Sequence, residues 1–208
     1  MLLNLLACAP TAHQTVDSSP SQPRIQELTW TLDWDRTGVE EHPNGSWSVA
    51  TPEGQLHVTG GWLTTWSVYV EDCGDSAKHG PTDNGTSPGG VTEPLVPLSA
   101  YTFAPMTVDL EGCAVGWVVA RPDNTTADVP DEAQGASLVL EGTLAGAPVS
   151  WRSTFIMGFE VDADLDEVAH VTVIRSPAAA LSTLDLSEGE DRGLLDLLIQ
   201  LTASMDVK

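Results

Sequence analysis

Large apolar residues recur at every second position through much of this chain. Leu28, Trp30, Leu32 and Trp34 alternate with Thr29, Thr31, Asp33 and Asp35, which predicts a half-buried strand with its large side chains inward. Ser46 to Ala50 and Gln55 to Thr59 predict a hairpin across Thr51-Pro52-Glu53-Gly54, with Trp47, Val49, Leu56 and Val58 at the apolar positions. Trp62 to Asp72 alternates again, placing Trp66, Val68 and Val70 on one face and Thr65, Ser67 and Tyr69 on the other. Further strands are expected at 101–103, 106–111, 115–120 and 170–174. A hairpin joins 137–144 to 149–159 across Ala145-Gly146. Its second arm puts Val149, Trp151, Ser153, Phe155, Met157 and Phe159 on one face.

Two stretches interrupt this pattern. Gly74 to Pro94 has no large apolar residue before Val91 and reads as a long insert, functional or disordered. Arg121 to Gly135 is a second polar loop. Many short strands with turn chemistry between them predict a mainly β fold, an antiparallel β-sandwich or barrel of about 8–10 strands.

The period changes near the C-terminus. Ser176-Pro177 is a helix-start signal, with Pro at the first helical position. Ser187 and Glu190 have capping-box spacing. Leu194, Leu197, Leu198, Leu201 and Met205 then follow at helical spacing, so an amphipathic helix is expected over 188–205, packed against the sandwich.

At the other end, Leu5-Leu6-Ala7-Cys8 resembles the lipobox of bacterial lipoproteins. The resemblance implies cleavage before Cys8 and diacylglycerol on its thiol, hence a membrane anchor. A signal peptide also needs a basic segment and an apolar run of about 7–15 residues. Neither fits before Cys8, so residues 1–7 read as a signal-peptide remnant whose true start lies upstream. Ala9 to Pro23 is rich in Ser, Thr, Pro and Gln and cannot bury enough apolar area to offset its ordering entropy. The expected organisation is therefore a lipidated Cys and flexible tether over 8–24, then a single β-rich domain over 25–208. Setting Cys8 aside leaves Cys73 and Cys113. In an exported protein these two most simply form one disulfide; the alternative is two reduced, buried thiols.

Charge narrows the partners. Thirty Asp and Glu against eight Lys and Arg give a formal net charge of −22. Nucleic acid is excluded as a partner, since binding there depends on basic residues neutralising phosphates. Spread over the whole chain, the carboxylates chiefly supply solubility.

Candidate chemistry is sparse. The sequence contains no Gly-x-Ser-x-Gly, His-Glu-x-x-His, Walker-type or dinucleotide motif. His13, His42, His57, His79 and His170 are scattered. Asp162, Asp164 and Asp166 resemble the opening of a calcium loop, but Glu167 and Val173 stand where such a loop has Gly and Glu. A solvated acidic strand end is the simpler reading. Seven Trp raise carbohydrate binding, because exposed indoles stack on sugar rings. Trp30, Trp34, Trp47, Trp66 and Trp151 fall in the apolar phase of their strands, leaving Trp62 and Trp117 as the sugar-platform candidates.

The sequence thus points to an exported, lipid-anchored envelope protein, with the outer membrane favoured because no acidic retention signal follows Cys8. It is expected to bind a protein or glycan without a cofactor and without catalysis. The competing classes are a hydrolase of envelope or extracellular polymers and a cation-dependent or carbohydrate-binding adhesion module.

Overall fold

The computed structural model describes residues 25–72, 89–109, 112–162, 168–182 and 204–207. They form a β-sandwich of two sheets around one apolar core. In the smaller sheet, β1 (Ile25–Trp34) is central. Three elements of the larger sheet follow: β2 (Glu40–Glu41), β3 (Trp47–Thr51) and β4 (Gly54–Asp72). Next come β5 (Val91–Pro94), β6 (Tyr101–Thr102), β7 (Met106–Asp109) and β8 (Gly112–Val119). The remainder are β9 (Leu138–Leu144), β10 (Ala147–Ser153), β11 (Met157–Asp162), β12 (His170–Arg175), a one-turn helix α1 (Pro177–Leu181) and β13 (Ser204–Val207).

The period-two reading of β1 holds, since Leu28, Trp30, Leu32 and Trp34 are all buried. β1 pairs antiparallel with β7 and β6, but parallel with β12, Thr29 lying opposite His170 and Trp34 opposite Arg175. Among the described strand pairs that parallel one is the exception. The expected hairpin also forms: Thr51 pairs with Gly54, and Trp47 pairs with Val58.

β4 is the spine of the larger sheet. Trp62 lies between Pro94 of β5 and Val139 of β9, while Thr65 lies between Val91 of β5 and Val119 of β8. β9 and β8 therefore occupy successive stretches of one edge of β4, with β3 and β5 along the other. This arrangement corrects the expected single arm over 149–159. β10 pairs with β9 and β11 pairs with β8, so the chain must step from one to the other at 154–156. Short pairings and this split give thirteen strands among the described residues, more than the sequence pattern suggested.

A second correction concerns Trp66. The β4–β8 register shifts between Thr65 and Ser67, and one extra residue reverses the inward–outward phase. Thr65 thus points into the core, fully buried, while Trp66 is half-buried on the outer face and donates its indole N–H to Asp123 Oδ2 at 2.7 Å. Val68 and Val70, beyond the bulge, are buried as expected. Trp151, on an edge strand, is only half-buried. Residues 91–94, expected within the long insert, form β5. Their pairing with β4 needs no continuous apolar run, because a strand this short is held by its ladder and two inward side chains.

Pro177 opens α1 as the helix-start signal predicted, and Pro177, Ala180 and Leu181 are buried. Most of the expected helix over 188–205 lies outside the described residues. Its last two positions do not: Ser204 and Met205 belong to β13 and pair with Ile174 and Val173. The unpaired edge of β12 supplies that ladder, which overrides the helical spacing of Met205.

One charged pair crosses the core. Arg175 on β12 and Glu93 on β5 are both buried, and the guanidinium meets the carboxylate in a two-pronged contact of 2.6 and 3.1 Å. Arg175 Nε also donates to the carbonyl of Asp33, and the guanidinium carbon lies 3.9 Å from the centre of the Trp34 ring. Every charge-bearing atom here is matched, the condition under which a buried pair is tolerated.

A different constraint acts on the outer face. Tyr69 on β4 pairs with Gly116 on β8, which pairs with Glu160 on β11. The Tyr69 ring lies across Gly116, where an added Cβ would be 2.0 Å from Cζ, and its hydroxyl donates to Glu160 Oε2 at 3.0 Å. Burial, then the Glu160 carboxylate, push the phenol up to about 12.

Two measurements check these features. Glu93→Gln is expected to lower unfolding free energy by about 3–5 kcal/mol in urea titrations, since it strands a buried guanidinium. Glu93→Leu combined with Arg175→Met should recover most of that loss. Spectrophotometric titration should find the Tyr69 phenol near 12, falling only part of the way toward 10.0 in Glu160→Gln, because burial remains. Because the folded value is raised, this hydrogen bond stabilises the fold below pH 10 and is lost as pH climbs to about 12. Gly116→Ala is expected to destabilise by about 1–3 kcal/mol through overpacking against the ring.

Candidate functional site

The positions singled out from sequence do not converge. Cys8, Cys73, Asp164 and Asp166 lie outside the described residues. Cys113 is in β8, immediately after Gly112, whose backbone pairs with Asp72. Asp162 ends β11 in the exposed phase it shares with Glu160. Among the described residues, no group of three or more His, Cys, Asp or Glu is placed to hold a metal ion.

Of the sugar-platform candidates, Trp117 is corrected outright. It is 1% exposed, and its indole N–H donates to the buried Thr65 hydroxyl at 2.9 Å. Trp62 is half-buried on the outer face of β4. Trp47 and Trp34 likewise satisfy their indole N–H groups on the carbonyls of Leu95 and Ser99. Trp30 Nε1 is buried without a partner among the described residues. Between the sheets, Trp34, Trp47, Trp117, Leu138 and Arg175 line a cavity of about 20 Å³. That is room for about one water, so the indole cluster is core and not a ligand pocket.

What the fold does assemble is a polar cluster on the outer face of β2, β3 and β4. The Thr51–Gly54 turn sets Ser48 opposite His57, and the β2–β3 ladder sets Glu40 opposite Ser48. Directly opposed residues point to the same face, so Glu40, Ser48 and His57 form a row across three strands. His42 joins from the chain just past β2, where its amide donates to the Ser46 carbonyl. Asn44 holds that turn by accepting from both the amide and the hydroxyl of Ser46.

In this cluster two imidazoles converge on one hydroxyl. His42 Nε2 lies 2.9 Å from Ser48 Oγ, and His57 Nδ1 lies 2.9 Å from the same oxygen. The rings meet edge to face with centroids 5.0 Å apart. Both are half-buried, while Ser48 beneath them is 3% exposed. One hydroxyl proton can serve only one ring, so the second ring must donate its own N–H to the Ser48 oxygen. The Glu40 carboxylate does not orient either ring; it accepts from Gln55 Nε2 at 3.3 Å. A serine next to a base resembles a nucleophile in distance alone, because a hydroxyl covered by two rings admits no acyl carbon.

Composition gave no sign of this cluster, since the histidines are scattered in sequence. The usable signal was the hairpin turn: once Thr51 pairs with Gly54, counting along both arms brings Ser48 to His57.

No family model matches the chain, and no curated protein matches it. Among solved structures the chain is similar to MbnP from Methylosinus trichosporium, with 9% sequence identity, a TM-score of 0.42, and 78% of this chain and 79% of that chain covered.

Proposed function

We propose that this chain is an exported, lipid-anchored envelope protein whose β-sandwich acts as a non-enzymatic binding module. The observation that carries the reading is the order of its parts: the lipobox-like Leu5-Leu6-Ala7-Cys8, the Ser-, Thr- and Pro-rich stretch to Pro23, and then a domain whose first strand begins at Ile25. A tethered, closed sandwich offers its outer faces to a partner and its interior to none. The seclusion of the Ser48 hydroxyl beneath two rings supports binding over hydrolysis, because a nucleophile has to reach its substrate.

The same reading includes a Cys73–Cys113 disulfide. Asp72, the residue before Cys73, pairs with Gly112, the residue before Cys113. Because β4 and β8 are antiparallel, the residues following that pair run in opposite directions, and the support for the disulfide is the even Cys count left once Cys8 is set aside.

Two measurements test the proposal. Mass spectrometry of the protein from its native host should find diacylglycerol on Cys8; an N-terminus bearing no lipid there removes the anchor. Thiol titration of the unreduced, denatured protein should find Cys73 and Cys113 unreactive until reductant is added. Two reactive thiols at those positions would rule out the disulfide.

A further inference from the structure

We propose that His42 and His57 are the protein ligands of a divalent transition-metal site on the outer face of the larger sheet. Two nitrogen donors from separate strands aim at one point, each 2.9 Å from Ser48 Oγ. Metal–imidazole bonds are about 2.0–2.1 Å long. A metal held by both nitrogens would sit on the solvent side of that oxygen, clear of the Ser48 Cβ, with both rings turning outward toward it and the Ser48 hydroxyl turning to another rotamer. Both rings are half-buried on the surface, so solvent and an ion can reach them and water can fill the open coordination positions.

The protons balance without any net change of charge on the protein. At least one ring directs an N–H at the Ser48 oxygen, since the single hydroxyl proton can serve only one of them. On binding, any ring with its proton on that side moves it to its far nitrogen, a change of neutral tautomer exchanged through water. Both lone pairs then converge, and Ser48 keeps its hydroxyl proton. Neutral imidazole suits zinc, copper and nickel, whereas calcium and magnesium take oxygen ligands.

The electrostatic setting favours a cation. Glu40 lies opposite Ser48 in the ladder and keeps an exposed carboxylate on the same face as His57. Glu41 is neutralised by Arg36 at 2.8 Å, which leaves Glu40 as the local negative charge of β2. A chain of net charge −22 further concentrates cations at its surface.

The test uses Zn²⁺ alone, added to the full-length chain after dialysis against a chelator. Titration calorimetry is expected to find one enthalpic site, weakened by at least about tenfold in both His42→Gln and His57→Gln. Ser48→Ala should keep or tighten binding, because it frees both rings from the shared hydroxyl; a purely structural cluster would gain nothing from that change. Should either histidine variant fail to fold, imidazole ¹⁵N shifts of the wild-type chain decide the matter. Movement confined to His42 and His57 supports the site. No movement at these rings, or movement only at His13, His79 or His170, overturns it, as does Zn²⁺ heat that survives unchanged in both variants.

Discussion

The contact on which the two sheets depend is the ion pair between Arg175 and Glu93. It joins β12 of the smaller sheet to β5 of the larger one through a bidentate contact with almost no exposure to solvent. A buried pair adds little net stability over an apolar pair of the same shape, because desolvation of both ions offsets their attraction. Its effect is on geometry. A guanidinium buried off its carboxylate leaves two unpaired charges in the core, so only one placement of β12 against β5 is tolerated. The Trp34 ring below Arg175 and the Asp33 carbonyl beside it extend this demand to β1. The parallel β1–β12 pairing, unusual in this fold, is thus held in register at its C-terminal end. Ser176 and Pro177 follow immediately, so α1 starts where that register places it.

Bulges along β4 then distribute side chains between core and surface. The shift between Val58 and Gly60 falls beside Gly61, whose φ of +133° no side chain adopts comfortably and whose Cβ would be 2.3 Å from the Val139 carbonyl oxygen. The second shift, between Thr65 and Ser67, turns Trp66 outward and Thr65 inward. Only because of that reversal does the Trp117 indole N–H find a hydroxyl in the core. Upstream of both shifts the hairpin keeps an undisturbed phase, with Trp47, Val49, Leu56 and Val58 inside and Ser48 and His57 outside. The histidine cluster therefore depends on a short, regular hairpin, while the Trp cluster depends on an irregular spine.

This contrast explains what could be read from the residues. Strand phase was legible wherever pairing was regular, as at Leu28 to Trp34 and at the hairpin about Thr51 to Gly54. Trp66 was misplaced because one inserted residue reverses a period-two pattern without altering composition. Val91 to Pro94 was passed over because a four-residue strand with an inward Glu has no apolar signature; its burial makes sense only once Arg175, far away in sequence, is opposite. Met205 follows helical spacing but pairs with Val173, since the open edge of β12 supplies a ladder that local propensity cannot foresee. His42 and His57 lay within reach of the correct turn, yet convergence on a third residue is a property of two registers taken together.

Acidity then acquires a more specific meaning than solubility. Of eight basic residues, Arg175 is spent inside the core and Arg36 on Glu41, while Arg152 donates to the carbonyls of Glu132 and Gln134. The surface thus carries carboxylates with few basic groups left to neutralise them. Were the domain anchored by lipid at Cys8, as proposed, a net charge of −22 would repel an anionic membrane face. Screening confines that repulsion to about 8 Å at physiological ionic strength, which is short beside the stretch from Ala9 to Pro23. On that proposal tether and charge would act in the same direction: one would permit distance from the bilayer, and the other would disfavour contact. A sandwich so held would keep its larger sheet's outer face in solution, where the same negative field would draw cations toward the imidazoles of His42 and His57.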